Sequence, residues 1–314
     1  MSIRKLTLSA LLLLAACGGN PLGPNDPVGP VDPDDPMAVP EEVAVNLRSI
    51  TYNPAGAGTL SVNMFGLTGS AQTVDFVRSK SLDIDGYQAF TYQETGLQRS
   101  HLAFVADSLR GNLRAGVVAD GGQFNQHYGG GTYSRIDVYT PPVVRPGKET
   151  GQFSYAGTYA GVFLPGPATH PSLPPGLQPY QPMRVKGETL INANFANNQV
   201  NGGVENRWLL DDRGRRIDMN ADGVLDATDQ LEAIVFRANT IDENGMFLGN
   251  VEFSGEPDSQ IGSYGGMFGG EGASDIAGAI VLNPIPGETG IWEYGVFNLP
   301  RCDLAGASPL CVPR

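Results

Sequence analysis

The segment from Asp218 to Asp229 places oxygen-bearing side chains at a spacing that suits a metal ion. Counted as a twelve-residue loop, it has side-chain oxygens at positions 1, 3, 5, 9 and 12, contributed by Asp218, Asn220, Asp222, Asp226 and Asp229. Gly223 stands at position 6, where a sharp turn is required, and the backbone carbonyl of Val224 at position 7 would add another oxygen. Because calcium prefers such hard oxygen ligands, the spacing predicts a calcium site.

Two features separate this loop from a helix-flanked calcium loop. Asp229 is shorter than the usual glutamate and resembles the dockerin-type variant, and Gln230 follows where an apolar residue is normal. The flanking residues predict strands, so calcium would rigidify an insert between two strands. The alternative is an acidic, Asn- and Gly-rich turn that binds no ion, and the spacing favours calcium over that alternative.

Cys17 is a candidate site of covalent modification. Arg4 and Lys5 precede an apolar run, Leu6–Leu14, that has about half the roughly 20 residues a transmembrane helix requires, so the N-terminus predicts a secretory signal over residues 1–16. The tetrad Leu14-Ala15-Ala16-Cys17 resembles the lipobox of bacterial lipoproteins, which implies a diacylglycerol thioether on Cys17. An ordinary secretory signal with an incidental cysteine is the alternative. Gly18 stands where an aspartate would retain the protein in the inner membrane, which favours the outer membrane.

Residues 17–42 form an acidic, proline-rich stretch. From Asn20 to Glu42 the chain has seven prolines and no aromatic residue, so it cannot bury enough surface to fold. Proline-rich chain extends about 3.1 Å per residue, so roughly twenty residues reach about 60 Å. The composition predicts an extended tether.

Cys302 and Cys311 are the remaining cysteines, nine residues apart. In an oxidising cell envelope the expected pairing is a disulfide, which would close a C-terminal tail over residues 301–314. A redox or zinc pair is the weaker alternative, because the chain has no second Cys-x-x-Cys motif and only three histidines, His101, His127 and His170.

The charge of the chain restricts its partners. Loss of Arg4 and Lys5 with the signal leaves 18 basic residues against 33 acidic ones, a net charge near −15. This charge argues against nucleic acid and against an anionic membrane surface. It suits a soluble exterior or a basic partner.

Abundant glycine, with 42 of 314 residues, and alternating apolar positions predict an all-β fold. Three prolines within Thr140–Gly147 indicate a boundary between a smaller β domain, residues 43–146, and a second unit, residues 150–300. Seven strands are predicted in the first unit: Val43–Tyr52, Thr59–Phe65, Thr73–Ser79, Tyr87–Gln93, His101–Ala106, Arg114–Ala119 and Tyr133–Tyr139.

Eight strands are predicted in the second unit: Ser154–Phe163, Arg184–Phe195, Gln199–Leu209, Gln230–Thr240, Met246–Phe253, Ser263–Phe268, Ile276–Leu282 and Gly290–Asn298. Because closure removes exposed edges, eight consecutive antiparallel strands favour an up-and-down β-barrel. The pair Asn244-Gly245 predicts a tight hairpin. A membrane-spanning barrel, the alternative, requires outward apolar bands and aromatic girdles, whereas these strands are short and glycine-rich.

The segment Ser263–Gly278 resembles the glycine-rich barrel signature of transferrin-binding protein B and related surface lipoproteins. Further matches follow the family order at Tyr155–Tyr159, Gly187–Phe195, Val200–Val204 and Gly245–Phe247. The resemblance covers residues 150–300 and implies that residues 43–146 take the place of a handle-like domain. It departs from the family at Gly269, Gly270 and Asp275, and the chain has room for one lobe only. Its glycines are expected to permit a sharp corner between strands six and seven.

No catalytic motif stands out in the sequence, and His127-Tyr-Gly-Gly-Gly131 precedes a predicted strand, not the helix N-terminus that a phosphate loop requires. The paired carboxylates Asp211 and Asp212 are expected in a turn. We therefore expect no enzyme. The resemblance implies a binding module for a solute, a protein or an iron carrier, with the proline-rich loop Leu164–Gln181 as the contact region. A structural envelope lipoprotein without a soluble ligand is the alternative.

Overall fold

The computed structural model describes residues 37–52, 58–66, 70–96, 98–122, 127–144, 151–165, 181–282 and 292–311. Two antiparallel sheets contain nearly all of their regular structure, which confirms the predicted all-β class. The exceptions are one short helix, α1 (Glu41–Ala44), and 3-10 turns at Lys80–Leu82 and Ala227–Asp229. Within the described ranges, none of the helices has the length and apolar character needed to cross a bilayer.

The first sheet has seven strands that pair in chain order. They are β1 (Leu47–Tyr52), β2 (Thr59–Phe65), β3 (Ala71–Arg78), β4 (Gln88–Tyr92), β5 (His101–Asp107), β6 (Leu113–Asp120) and β7 (Gly129–Arg135). The Asn46 amide donates to the Gly129 carbonyl at 3.0 Å, which brings the chain before β1 against β7. The sheet is therefore a nearly closed barrel.

The second sheet contains the remaining strands: β8 (Gln152–Leu164), β9 (Met183–Asn194), β10 (Gln199–Leu210), β11 (Gln230–Leu231), β12 (Ile234–Thr240), β13 (Met246–Phe253), β14 (Gln260–Gly269), β15 (Asp275–Leu282) and β16 (Trp292–Pro300). Eight of them form a closed ring, because β8 pairs with both β16 and β9, and β10 pairs with both β9 and β12. The predicted eight-stranded barrel is confirmed. The strand predicted over Gln230–Thr240 is divided into β11 and β12.

Alternation along the strands explains the closure. In β9, Val185 and Ile191 are buried in the barrel interior, whereas Glu188 is exposed. The Asn244-Gly245 hairpin is present between β12 and β13, where Gly245 has φ +72° and its amide donates to the Asp242 carbonyl at 3.1 Å.

The first sheet packs against the outer wall of the barrel, and we call this interface the seam. Val117 of β6 and Ala279 of β15 belong to the cluster of buried side chains at the seam. On the opposite faces of the same strands, Val118 lies in the core of the first sheet and Ile280 in the barrel interior. Because β6 and β15 are covered on both faces, every one of their residues is buried.

Polar contacts across the seam set its register. Tyr87 donates to the Thr158 carbonyl at 2.8 Å and accepts from the Asn298 amide at 2.9 Å. Asp275, which is fully buried, accepts from Arg110 Nη1 at 3.0 Å and from Asn112 Nδ2 at 2.7 Å. Because a buried carboxylate needs such partners, these bonds restrict how the two units can slide past each other.

The structure corrects the prediction at both edges of the first unit. The strand predicted from Val43 begins at Leu47, and α1 precedes it, with Val43 fully buried in the seam. The strand predicted over Tyr133–Tyr139 runs instead from Gly129 to Arg135. In both places packing against the barrel overrides local sequence preference.

The corner between β14 and β15 is only partly as predicted. Gly270 and Gly272 have φ of +75° and +62° and form the turn. Gly265 lies inside β14, where an added Cβ would stand 2.7 Å from the Tyr133 hydroxyl. That glycine allows close packing at the seam and does not form the corner.

The strand register defines two ends of the barrel. The end where β14 meets β15, at the Gly269–Asp275 pair, is here called the tether end. The end where β8 meets β16, at the Leu164–Trp292 pair, is here called the loop end. Arg135 bonds the Phe268 carbonyl at 3.0 Å and donates to Met37 Sδ at 3.3 Å, so the described chain starts at the tether end.

We expect Gly131→Ala to destabilise the fold by about 1–3 kcal/mol, because overpacked interiors cost roughly that amount. An added Cβ at Gly131 would stand 2.3 Å from Ala279 Cβ, across the seam. Urea unfolding followed by Trp208 and Trp292 fluorescence measures the change. Gly66→Ala is the matched control, since its Cβ would meet nothing within 4 Å. Equal stability of both variants would contradict close packing at the seam.

Candidate binding site

A groove of about 550 Å³ lies between the first sheet and the barrel at the loop end, and we call it the seam groove. The first sheet lines it with Leu82, Thr91 and Leu102, and the barrel lines it with Met183, Arg184 and Leu210. Ligand sites occur preferentially at such junctions between structural units, as apolar concavities with a few polar groups.

Arg184 is a nearly fully buried charged residue that lines the seam groove. Its side chain is only 3% exposed, its Nη2 donates to the Asp211 carbonyl, and its Nη1 is buried without a partner in the described part of the chain. Burial lowers the pKa of Arg184, and the charges of Asp212 and Asp211 oppose that shift. A guanidinium with an unused buried donor is suited to an anionic group of a ligand.

The paired carboxylates Asp211 and Asp212 lie at the edge of the same groove. Asp211 Oδ1 accepts from the backbone amides of Arg213 at 2.9 Å and Arg215 at 2.8 Å, and its Oδ2 accepts from Arg215 Nε at 2.8 Å. These bonds commit Asp211 to closing a turn. The pair therefore shapes the rim of the groove.

A second groove, of about 680 Å³, lies at the tether end beside the C-terminal tail. Phe153, Leu190 and Leu310 line it together with Cys302 and Cys311. These two cysteines form the expected disulfide, with a Cα–Cα distance of 5.3 Å.

The barrel interior contains a charged cluster that the sequence did not reveal. Glu293 accepts from the Tyr159 hydroxyl and from Arg207 Nη2, each at 2.5 Å, and Arg207 and Glu293 are each 2% exposed. Burial, followed by the charge of Glu293, raises the pKa of Tyr159, so the hydroxyl remains a donor. Side chains thus fill and cross-link the barrel at this level.

The predicted calcium loop lies among the described residues and is built from tight turns. Gly223, with φ +85°, donates its amide to Asp218 Oδ2 at 2.7 Å. The Asp222 amide donates to Asn220 Oδ1 at 2.9 Å, and the Val224 amide donates to Asp222 Oδ1 at 2.8 Å. Asp218 Oδ1 is buried without a partner among these residues, which fits an oxygen available to a cation.

The other end of the loop is tied to the backbone. Asp229 is fully buried and accepts from the Met219 amide at 2.8 Å and the Asp226 amide at 3.1 Å. Asp226 accepts from the Thr228 amide at 2.8 Å, and bonds from the Thr228 hydroxyl and amide lower the Asp226 pKa. No group of three or more His, Cys, Asp or Glu side chains in the described ranges is arranged to hold a metal ion. Calcium binding stays a prediction.

The remaining candidate residues divide into two groups. Burial, followed by the charge of Arg99, lowers the pKa of His101 and of His127 to about 4, so both are neutral above that pH. Cys17, His170 and residues 166–180 of the predicted contact loop lie outside the described residues.

No family model and no curated protein sequence matches the chain. Among solved structures, those of transferrin-binding protein B match the chain at low identity and low TM-score. The protein from Haemophilus parasuis Hp5 is 11% identical with a TM-score of 0.37, and the match covers 81% of this chain and 53% of that one. The isotype 1 protein from serogroup B Neisseria meningitidis is 14% identical with a TM-score of 0.33, covering 81% and 52%. The chain thus spans about half the length of the structures it matches.

We predict that calcium raises the melting temperature of the chain relative to EDTA. A ligand that binds only the folded state at 100 times its Kd stabilises it by about 2.7 kcal/mol, which shifts Tm by roughly 2–4 °C per kcal/mol. Asp222→Asn removes one loop carboxylate and should reduce the shift. Glu243→Gln, an exposed acid in another turn, is the control. An identical Tm in calcium and in EDTA would dismiss the site.

Proposed function

We propose that the chain is a binding lipoprotein of the bacterial outer membrane, tethered through Cys17, which captures a protein ligand at the seam groove. The observation that carries the proposal is Arg184, a nearly fully buried cation with an unused donor in a groove of about 550 Å³. A buried donor left unpaired costs about 1–3 kcal/mol, which an anionic group of a ligand at Arg184 would offset.

The rim of the groove supports the same proposal. Asp211 and Asp212 line the groove, and Arg213, Arg215 and Arg216 follow them in the chain, so residues 211–216 together carry a net charge of +1 in a chain of net charge −13. Arg216 stacks over the Trp208 ring at 4.1 Å. Leu82, Leu102 and Met183 supply apolar walls. A matching ligand would present an apolar side chain next to a carboxylate, and the motif resemblance implies that a protein or an iron carrier provides it.

Capture of serum proteins by the purified chain tests the proposal. We expect one protein to bind stoichiometrically, and Arg184→Met to weaken that binding about 10- to 100-fold, the value of a charge-assisted contact of about 1.5–3 kcal/mol. Leu82→Asp, on the opposite wall, should weaken it similarly. Lys186→Met is the matched control, since Lys186 lies two residues along β9 and pairs with Asp85 at 2.7 Å. Iron-loaded and iron-free transferrin are tested as pure proteins.

The outcomes separate the alternatives. Capture that all three variants leave unchanged would place the contact elsewhere on the chain. The absence of any captured protein, with Tm values unchanged by the substitutions, would favour a structural envelope lipoprotein.

The lipid anchor gives a separate prediction. In bacteria that express the chain, we expect the wild type to partition into the detergent phase of Triton X-114 and to incorporate labelled palmitate. Cys17→Ala should remove both properties, because one thioether-linked diacylglycerol supplies the hydrophobic anchor. Cys302→Ser with Cys311→Ser keeps Cys17 and should retain the label. A labelled Cys17→Ala chain would refute acylation at this residue.

A further inference from the structure

Exposed aliphatic side chains are concentrated at the tether end. Half of the large exposed hydrophobic residues in the described ranges belong to two short segments, the turn between β5 and β6 and the stretch after β7. They form what we call the apolar patch: Leu109 (65% exposed), Ile136 (50%), Val138 (67%), Val143 (82%) and Val144 (36%). Exposed apolar residues that lie together mark a contact surface, whereas singly scattered ones are ordinary.

Hydrogen bonds hold the two segments side by side. The amides of Ile136 and Asp137 donate to the Asn112 carbonyl at 2.8 and 3.3 Å, which joins the stretch after β7 to the β5–β6 turn. The Gly270 amide donates to the Val138 carbonyl at 3.0 Å, which fixes the stretch against the β14–β15 corner. The patch therefore sits on ordered backbone at the tether end of the barrel.

The tether reaches the folded part at the same place. Arg135, the residue before Ile136, contacts Met37, the first described residue. Nineteen residues, 18–36, lie between Cys17 and Met37, and twenty steps at about 3.1 Å per residue would span roughly 60 Å. Because the described chain starts beside Arg135, the tether joins the fold on the side that carries the patch.

We infer that the apolar patch rests on the bilayer surface to which Cys17 is attached. The inference rests on the proposed anchoring and deepens it by assigning an orientation. Transfer of aliphatic side chains from water to the interfacial region of a bilayer lowers the free energy. Arg110, which pairs with the buried Asp275 at 3.0 Å, and Arg135 adjoin the patch in sequence, and the exposed Asp137 lies between Ile136 and Val138. The tether raises the effective concentration of the patch at the surface, so a weak, reversible contact suffices.

The test uses the chain from Cys17 to Arg314. Cys17 is its only cysteine outside the disulfide, so it can be coupled to a maleimide lipid in phosphatidylcholine vesicles, whether or not it is acylated in cells. The substitution Val138→Trp places a fluorophore in the patch. Val77→Trp is the matched control, because Val77 is 64% exposed and lies on β3, away from the tether end. The wild-type chain gives the background fluorescence of Trp208 and Trp292.

With dibrominated lipid as quencher, we expect the fluorescence added by Val138→Trp to fall about two-fold, while the fluorescence added by Val77→Trp stays unchanged. The reason is that only side chains at the interface meet the bromine atoms. A second substitution, Leu109→Asp, should restore the fluorescence of the Val138→Trp chain. Equal quenching of the two variants would overturn the orientation.

A second copy of the chain is the competing occupant. Sedimentation that shows concentration-dependent dimers, abolished by Val138→Asp, together with no quenching, would assign the patch to self-association and overturn the inference. Ligand capture through the seam groove and palmitate labelling of Cys17 are measured independently, so failure of either is distinguishable from failure of this one.

Discussion

Close packing at the seam is the constraint on which the rest of the structure depends. Two sheets can approach closely only where small side chains meet, and Gly131 of β7 faces Ala279 of β15 across the seam. The contact buries both faces of β6 and β15, and each fully buried aliphatic side chain contributes about 1.5–3 kcal/mol. The barrel thus provides the second layer that covers the first sheet. The seam groove lies between the two units at the loop end.

Polar contacts at the seam and inside the barrel fix the register of the strands. A one-residue slip of a strand would turn its side chains to the opposite face. Such a slip in β16 would move Glu293 away from Arg207 and leave a buried charge without a partner, at a cost of about 3–5 kcal/mol. At the tether end, the ion pair between Asp275 and Arg110 fixes the register in the same way. These contacts specify one arrangement among the many that apolar packing alone would permit.

The sequence predicted the strands well and the contacts between them poorly. Alternation and turn residues are local signals, so the eight barrel strands and the Asn244-Gly245 hairpin could be read directly. The Arg207–Glu293 pair could not, because it joins residues 86 apart whose meeting depends on the register of β10 and β16. The run Gly129–Gly131 was expected to precede a strand, yet it forms the start of β7, because the seam needs residues without side chains there. A buried arginine such as Arg184 has no local signature either.

The two ends of the barrel have different physical characters, and this difference follows from an up-and-down topology. Successive connections between strands lie alternately at the two ends of the barrel, so residues distant in sequence come together at the tether end and at the loop end. The seam groove lies at the loop end, and so does the insert between β10 and β11 that holds Asp218–Asp229. Met37, the apolar patch and the disulfide-closed tail lie at the tether end. The strand β8 has thirteen residues. At about 3.3 Å per residue, the two ends of the barrel are roughly 40 Å apart along this strand. A chain held at the tether end would therefore present the loop end to its surroundings, and the seam groove lies at that end.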